Sequence, residues 1–505
     1  MVVFGAIRLG RMTHHFLAWK GFFAVTMVSL VLGACTNGGS GGSLARSESG
    51  SKGTARSPGF APPRMVMASA DEPSPLWEPR IATDRRVRAF NRILASGDER
   101  ARAELRAQVA ANLPTEPRRE MVVAMSMAAG EGGWTECTVP LLRSLSRPLR
   151  GVDDATRSES VALSRLHPGR SLRELAELAV VEPSSAELGT DGLGGGWSDT
   201  SVQSECWGLV VRLDPSMERA AALLSEAGTT SLAPIALFHE QTGILPSSST
   251  DFVWAAHLGE MREPGGTLER LREQIDRHGL REVDGEPLEL RHVPAIEALA
   301  SINESWLSMS SSRLSTLLDV RLKRRLVHRR QTSPGEKVTP EDWESARGHL
   351  SRADLLLLLA IDLTLDDAML REDLFRQVEL DRDDRTTEYG GLMFAADRAG
   401  PARMSTFTPR PAERLGDRRF VASTDMLRSG ALALAHYHFH VQTAASDAYA
   451  GPSEGDLEYA RTFARACLVF TSLGPDGARL NADCYFPDGT VVDLGEIGGS
   501  GSPRE

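Results

Sequence analysis

The spacing of apolar residues changes character along this chain of 505 residues. From about residue 76 to 345, apolar positions recur at intervals of three and four between short breaks of proline and glycine, which is typical of amphipathic helices. After about residue 350, a helical stretch is followed by short apolar runs with turn residues between them, which indicate strands. The pattern therefore predicts a multidomain protein in which an α-helical region precedes a compact α/β domain over residues 350–497.

Two segments of the helical region resemble each other. The sequences Arg165-Leu166-His167-Pro168 and Arg212-Leu213-Asp214-Pro215 each follow one amphipathic stretch and precede another, and they start 47 residues apart. This spacing lies at the upper end of the period of HEAT-type helix pairs, about 40–47 residues. A proline at this point ends the first helix and allows the second to begin. We interpret residues 76–345 as a HEAT-like solenoid of stacked helix pairs, with an irregular helical bundle as the alternative.

The first 35 residues have the pattern of an export signal. Arg8, Arg11 and Lys20 precede the apolar run GFFAVTMVSLVL, which is too short to span a bilayer comfortably. The run ends in Leu32-Gly33-Ala34-Cys35, which resembles a bacterial lipobox. This resemblance implies that residues 1–35 are a lipoprotein signal and that acylated Cys35 anchors the exported chain to the membrane of the cell envelope, with the outer membrane or periplasmic face expected. A plain secretory signal is the alternative.

Composition and charge limit the classes of molecule that this chain is expected to bind. Residues 36–75 are rich in glycine, serine and proline and predict a disordered tether, and residues 498–505 predict a flexible tail. A formal net charge of −11 argues against nucleic acid as the main partner, because binding phosphates requires a basic surface. The cysteines after Cys35 form no CxxC pair and no zinc-finger spacing, so neither a redox motif nor a structural zinc site is indicated, and any disulfide pairing stays open.

The first candidate for a metal site is the sequence AHYHFHV. If this run is a strand, His436, His438 and His440 share one face, and two such imidazoles can bind one metal ion. A strand whose histidines face solvent is the alternative. We expect His438 and His440 to be the ligands and His436 to be a packing or supporting residue.

Two further motifs could complete a metal site. Ser453 and Asp456 lie where a helix is predicted to begin, so Asp456 can project from its first turn, although Ser-x-x-Asp is also an ordinary helix cap. Glu388 begins a predicted apolar strand, where it has no evident packing role and could serve as a proton acceptor. The glycines that follow it, Gly390 and Gly391, would allow neighbouring backbone to approach closely.

Together, Glu388-x-x-Gly391-Leu392, Tyr437-His438-Phe439-His440 and Ser453-x-x-Asp456-Leu457 resemble the signature of the JAMM (JAB1/MPN/Mov34) metalloproteases. The resemblance covers about residues 365–497 and implies a cytidine-deaminase-like α/β fold that hydrolyses peptide or isopeptide bonds. Carried over by position, it implies that His438, His440 and Asp456 bind Zn²⁺, that Glu388 handles the proton, and that Ser453 helps to stabilise the oxyanion.

This sequence departs from the family pattern near the histidines. Phe439 stands where Ser or Thr is usual, Val441 where Pro is usual, and the loop from His440 to Ser453 is longer. All five chemical residues are nevertheless present. We therefore expect a membrane-anchored zinc hydrolase acting on a peptide or protein substrate. The alternative is a non-enzymatic envelope lipoprotein whose helical repeats bind a protein partner and whose JAMM-like domain is structural.

Overall fold

The computed structural model describes most of the chain from residue 75 to residue 498. The predicted signal, Cys35, the tether up to residue 74 and the tail after residue 498 lie outside the described residues. Within 75–498, the description leaves out residues 79, 150, 186–187, 189–198, 229, 262–265, 284–285, 324, 329–339, 397–399, 412–413, 415, 444–445, 447–448 and 475–476.

The first part of the described chain is helical, as the apolar spacing predicts. A two-stranded hairpin, β1 (Glu282–Val283) and β2 (Glu286–Pro287), interrupts the helical region. The helices are α1 (Thr83–Ala95), α2 (Glu99–Asn112), α3 (Arg119–Gly132), α4 (Thr138–Ser146), α5 (Ser158–Leu166), α6 (Leu172–Val181), α7 (Asp199–Leu213), α8 (Glu218–Ser225), α9 (Ala233–Thr242), α10 (Ser249–Glu260), α11 (Thr267–His278), α12 (Val293–Asn303) and α13 (Ser311–Leu322).

The two related segments lie where the chain turns between helices. Pro168 follows the end of α5 and precedes α6, and Pro215 follows the end of α7 and precedes α8. The helix α6 begins with a capping box in which Ser171 and Glu174 satisfy each other's backbone N–H groups. Successive helices pack on one another, among them α3 on α5, α6 on α7 and α9 on α10. The arrangement is compatible with stacked helix pairs, and the HEAT-like repeat stays a prediction.

Three helices lead into the sheet: α14 (Trp343–Ala346), α15 (Arg352–Thr364) and α16 (Ala368–Asp383). The leucine-rich run LLLLLAIDL forms most of α15, which is buried and packs on α12 and α13. By contrast, α16 packs on β5 (Arg403–Thr406) of the sheet. Among the described residues, no helix combines the length and apolarity that a membrane crossing would require.

The C-terminal part is a mixed six-stranded sheet in the order β10-β9-β8-β7-β4-β5, with a separate parallel pair formed by β3 and β6. The α/β prediction is therefore confirmed at the level of a helical region followed by a mixed sheet. Its elements are β3 (Thr387–Glu388), β4 (Gly390–Phe394), β5 (Arg403–Thr406), β6 (Gly416–Phe420), α17 (Thr424–Ser429), β7 (Ala435–His440), α18 (Glu454–Phe463), β8 (Cys467–Leu473), β9 (Arg479–Tyr485) and β10 (Val491–Gly498).

A strand–helix–strand unit carries most of the candidate site residues. The central strand β7 pairs antiparallel with β4 and parallel with β8, and α18 connects the two parallel strands. Because β7 and β8 run in the same direction, the chain leaves the end of β7 and returns through α18. The histidines of β7 and the start of α18 are thereby brought to one edge of the sheet, where open α/β folds bind ligands.

Candidate metal centre

The strand β7 is buried in the middle of the sheet. His436 and His438 are almost fully buried and His440 is partly exposed. The interpretation of this run as a solvent-facing strand is therefore wrong. Alternation along the strand places the three imidazoles on one face, as predicted.

Glu388 reaches the same face from β3. Its neighbour in the parallel pair is Phe420 of β6, and Gly390 of β4 pairs with His438. A Cβ atom at Gly390 would lie 2.4 Å from the carbonyl oxygen of Tyr437 and 2.3 Å from the ring of Phe420. The predicted close approach of backbone at this glycine is confirmed, and it allows β4, the strand that follows Glu388, to lie directly beside β7.

A capping box at the start of α18 fixes the second carboxylate. Asp456 N–H donates to Ser453 Oγ at 3.3 Å, and Ser453 N–H donates to Asp456 Oδ2 at 2.7 Å. Ser453 is thus the N-cap residue, and Asp456 lies in the first turn as predicted. Only one carboxylate oxygen is needed for the cap, so Oδ1 of Asp456 is available for another role.

The four side chains converge on one small region. His438 Nε2 lies 3.3 Å from Asp456 Oδ1 and 3.8 Å from Glu388 Oε1. His440 Nε2 lies 3.8 Å from Asp456 Oδ2 and 4.0 Å from Glu388 Oε1. Ligand atoms of Glu388, His438 and His440 all lie within 4.8 Å of one another, so they form a possible metal-binding triad.

The second nitrogen of each histidine supports this arrangement. His440 Nδ1 lies 3.0 Å from the carbonyl oxygen of Tyr449, and His438 Nδ1 lies 3.5 Å from the hydroxyl of Tyr485. A carbonyl oxygen requires a protonated Nδ1, which leaves Nε2 of His440 as a lone-pair donor. His440 Nε2 therefore faces the common region in the form that a metal ion needs, and His438 Nε2 faces the same region.

A buried nitrogen atom that lacks a hydrogen-bond partner in the described part of the chain shows that a metal ion would fit this region. His438 Nε2 is buried and has no aligned hydrogen-bond partner among the described residues, even though Asp456 Oδ1 is 3.3 Å away. Leaving a buried polar atom without a partner is costly. A cation among His438, His440 and Asp456 would satisfy that atom, and two imidazoles with a carboxylate suit zinc.

The electrostatics favour an ionised carboxylate at Asp456. Burial by itself raises the pKa of Asp456, but the neighbouring His438 and His440 imidazoles and the Ser453 N–H outweigh it and hold the pKa below its ordinary value. The group is thus anionic at neutral pH, as a metal ligand must be.

His436 is directed away from this region. Its Nδ1 lies 2.9 Å from the hydroxyl of Tyr459, and its ring meets the ring of Trp254 edge-on at 6.2 Å. Burial, with a smaller contribution from the charge of Arg465, lowers the pKa of His436 to about 3, so the ring is neutral. The expectation that His436 is a packing residue is confirmed.

The sequence reasoning missed residues that surround the ligands. The ring of Phe420 stacks on His438 with centroids 5.5 Å apart, and Tyr449 and Tyr485 contact the Nδ1 atoms. Phe420 is the last residue of β6, but nothing in the sequence around it indicates that its ring would stack on an imidazole. The described cysteines Cys137, Cys206, Cys467 and Cys484 are all buried and unbridged.

Comparison with known proteins yields no match: no family model, no curated protein and no solved structure is significantly similar to this chain.

Proposed function

We propose that the C-terminal domain is a zinc-dependent hydrolase of the JAMM type that cleaves a peptide, isopeptide or other amide bond. The observation that supports this best is the convergence of His438, His440, Asp456 and Glu388 at the end of one buried strand, with nitrogen–oxygen distances of 3.3–4.0 Å. The order of these residues, together with Ser453, matches the family signature described above, although the loop from His440 to Ser453 is longer than in the family.

The two carboxylates are assigned different roles. Asp456 approaches the Nε2 atoms more closely, at 3.3 and 3.8 Å, than Glu388 does, at 3.8 and 4.0 Å. Asp456 is also held in place by its hydrogen bond from Ser453, which orients it as a ligand should be oriented. His438, His440 and Asp456 would therefore hold the zinc ion, and Glu388 would act beside it.

Each chain residue then has a defined part in the reaction. A bound zinc ion supplies Lewis acidity, which polarises a substrate carbonyl and makes water acidic enough to attack near neutral pH. The Glu388 carboxylate accepts the proton of the attacking water and returns it to the leaving amine. The Ser453 hydroxyl accepts from the Asp456 N–H and keeps its own O–H to donate to the developing oxyanion.

Elemental analysis combined with turnover tests this proposal. We expect the purified chain to contain about one zinc per molecule, and Glu388→Gln to keep the zinc while losing turnover of peptide, isopeptide or small amide libraries. Glutamine has the shape of glutamate but cannot take the proton. A metal-loaded wild type that cleaves no member of these libraries would overturn the hydrolase and favour a structural domain in an envelope interaction protein.

We also propose that the chain is exported and anchored by lipid through Cys35. The lipobox-like ending of the apolar run supports this, and the tether-like composition of residues 36–75 would separate the membrane from the folded part. Metabolic labelling with a fatty-acid analogue should mark the wild type and leave Cys35→Ser unmarked. Equal labelling of both chains would contradict the anchor.

A further inference from the structure

A buried arginine joins the helical region to the sheet beside the metal centre. Arg465 lies between α18 and β8 and is only 2% exposed. Its Nη2 atom donates a hydrogen bond to Asp251 Oδ1 at 2.7 Å, and its guanidinium carbon Cζ lies 3.6 Å from the ring centroid of Trp254. Asp251 and Trp254 are three residues apart on α10, so they share one face of that helix. The face of α10 thus binds Arg465 by charge and by stacking.

Ala464, the residue before Arg465, has a left-handed backbone conformation. It ends α18 with φ of +50°, which is unfavourable for a residue with a Cβ atom. Such a conformation persists only where the surrounding structure holds it in place. Arg465 N–H donates back to the carbonyl of Ala460 at 3.2 Å, which fastens the end of the helix. The end of α18 is thus held next to the residue that binds α10.

The same helix carries a metal ligand at its other end. Asp456 lies in the first turn of α18, and Tyr459 lies one turn further along. The hydroxyl of Tyr459 contacts His436 Nδ1 at 2.9 Å, and its ring lies 5.8 Å from the ring of Phe420, which stacks on His438. A displacement of α18 would therefore move Asp456 directly and His438 through its covering ring.

A second route leads from α10 to β7. The indole of Trp254 meets His436 edge-on at 6.2 Å, and its Nε1–H donates to the carbonyl of Leu427 at 2.9 Å. His436 precedes the ligand His438 by two positions on the same face of the strand. Trp254 thus contacts both elements that supply metal ligands, β7 through His436 and α18 through Arg465.

We infer that Asp251 and Trp254 of α10 are positioning residues for the metal centre, acting through Arg465 and His436. The inference rests on the proposed metal site, because it concerns how His438 and Asp456 are held. It makes the helical region part of the hydrolase: α10 forms one wall against which the ligand-bearing elements are set. Residues that orient metal ligands typically contribute 10–100-fold to metal affinity.

A pair of double variants of the full chain tests this. Asp251→Asn with Arg465→Met removes both members of the buried ion pair, so that neither charge is left without its partner. The control, Asp362→Asn with Arg325→Met, breaks another buried Arg–Asp contact, whose arginine donates to the carbonyl of Leu494 in β10 at 2.9 Å. Arg321 also binds Asp362, and it keeps Asp366 as a partner in this control. The strands β9 and β8 separate β10 from the histidine strand β7.

Zinc affinity, from competition with a chromophoric chelator, is the first measurement, and the visible spectrum of the cobalt-substituted protein is the second. We expect the Asp251/Arg465 variant to bind zinc about 10–100-fold more weakly and to show a changed cobalt spectrum. The control should match the wild type in both, although it too loses stability. Unchanged affinity and spectrum in the Asp251/Arg465 variant would overturn the inference.

A milder variant covers the case in which the double variant does not fold. Trp254→Phe keeps an aromatic face for Arg465 but weakens the cation–π contact and removes the hydrogen bond to Leu427. It should weaken zinc binding in the same direction by a smaller factor, and an unchanged zinc affinity would equally overturn the inference. A wild type that binds no zinc would instead refute the proposed function itself, so the two failures can be told apart.

Discussion

Asp456 Oδ1 lies 3.3 Å from His438 Nε2 while Oδ2 of the same carboxylate accepts a hydrogen bond from Ser453 N–H at 2.7 Å. One side chain thus completes a helix cap with one oxygen and faces a histidine with the other. The interpretation of Ser-x-x-Asp as a cap and its interpretation as part of a metal site are therefore compatible. The cap fixes the rotamer of the carboxylate, and a fixed ligand loses less entropy when it binds an ion.

Two substitutions at Asp456 separate these roles. Asp456→Asn keeps an oxygen for the Ser453 N–H but loses the charge, whereas Asp456→Ala loses both. We expect both variants to lose bound zinc, because a neutral amide is a poor ligand beside two imidazoles. Both variants lose the charge at the start of the helix. Asp456→Ala should lower the free energy of unfolding of the zinc-free protein by about 0.5–1.5 kcal/mol more than Asp456→Asn does, because it also loses the hydrogen bond from Ser453 N–H. Zinc content by elemental analysis and unfolding in urea with chelator check this, and retention of zinc in Asp456→Ala would contradict the ligand assignment.

Ser453→Ala is expected to reduce turnover more than its loss of a cap explains. Removing one oxyanion donor costs about 10²–10³ in kcat, and removing an N-cap costs about 0.5–2 kcal/mol of stability. The matched control is Ser351→Ala. Ser351 and Asp354 form the same Ser-x-x-Asp capping box at the start of α15, a helix that supplies none of the proposed metal ligands. Steady-state kinetics should show the loss in Ser453→Ala alone, and equal kcat in the two variants would remove Ser453 from the mechanism.

Local sequence patterns predicted the parts of the site that local physics determines. The alternation around His438 gave the shared face of β7, and the Ser453 cap gave the start of α18, because strand pleat and helix capping each depend on a few neighbouring residues. The sequence Pro487-Asp488-Gly489 indicates a turn for the same reason, and Gly489 adopts φ of +92° between β9 and β10.

Contacts between distant segments left no such pattern. The hydrogen bond from Arg465 to Asp251 joins residues 214 positions apart, and each residue by itself resembles an ordinary charged surface position. The strand β9, with the sequence RLNADCY, also escaped prediction because Asn481 and Asp483 interrupt its apolar character. Its polar residues are buried against β10, which only the tertiary structure shows.

Gly390→Ala should disturb the metal centre through the backbone. An added Cβ would lie 2.4 Å from the Tyr437 carbonyl and 2.3 Å from the Phe420 ring, so β4 and β7 or the ring must shift. Overpacking of this kind costs about 1–3 kcal/mol, and we expect weaker zinc binding with it. Gly348→Ala is the control, because no atom lies within 4 Å of its added Cβ. Urea unfolding and chelator competition check both variants, and a Gly390→Ala protein as stable as the control would contradict the close approach.

A second group of carboxylates, of which Asp483 lies two strands away from His438, predicts a pH effect. Asp483 of β9 pairs with Asp493 of β10, and both are buried. Burial, the charge of Asp493 and the charge of Glu341 raise the pKa of Asp483 well above its ordinary value. Burial likewise raises the pKa of Asp493 from 3.8 to about 6, although the N–H groups of Gly495 and His328 favour its ionised form.

The sign of the effect follows from these directions. Both carboxyls hold protons more tightly in the folded state, so their contribution to stability is complete below about pH 4. It declines as the pH rises from there through the folded-state pKa of each group, which is about 6 for Asp493. Each pKa unit corresponds to about 1.4 kcal/mol. Asp483→Asn cannot ionise and keeps an oxygen for the side-chain amide of Asn481, which donates to Asp483 Oδ2 at 2.8 Å in the wild type.

We therefore expect Asp483→Asn to gain about 1–3 kcal/mol relative to wild type when the pH is raised from 5 to 8. Urea unfolding at both pH values measures this gain as a difference between the two proteins. Protonation of the metal ligands occurs in both proteins, so it cancels in the comparison. Asp488→Asn, at an exposed turn position, should follow the wild type at both pH values. If Asp483→Asn instead loses the same stability as wild type between pH 5 and pH 8, then Asp483 is already ionised in the folded protein and the N–H groups around it suffice to hold two adjacent buried charges.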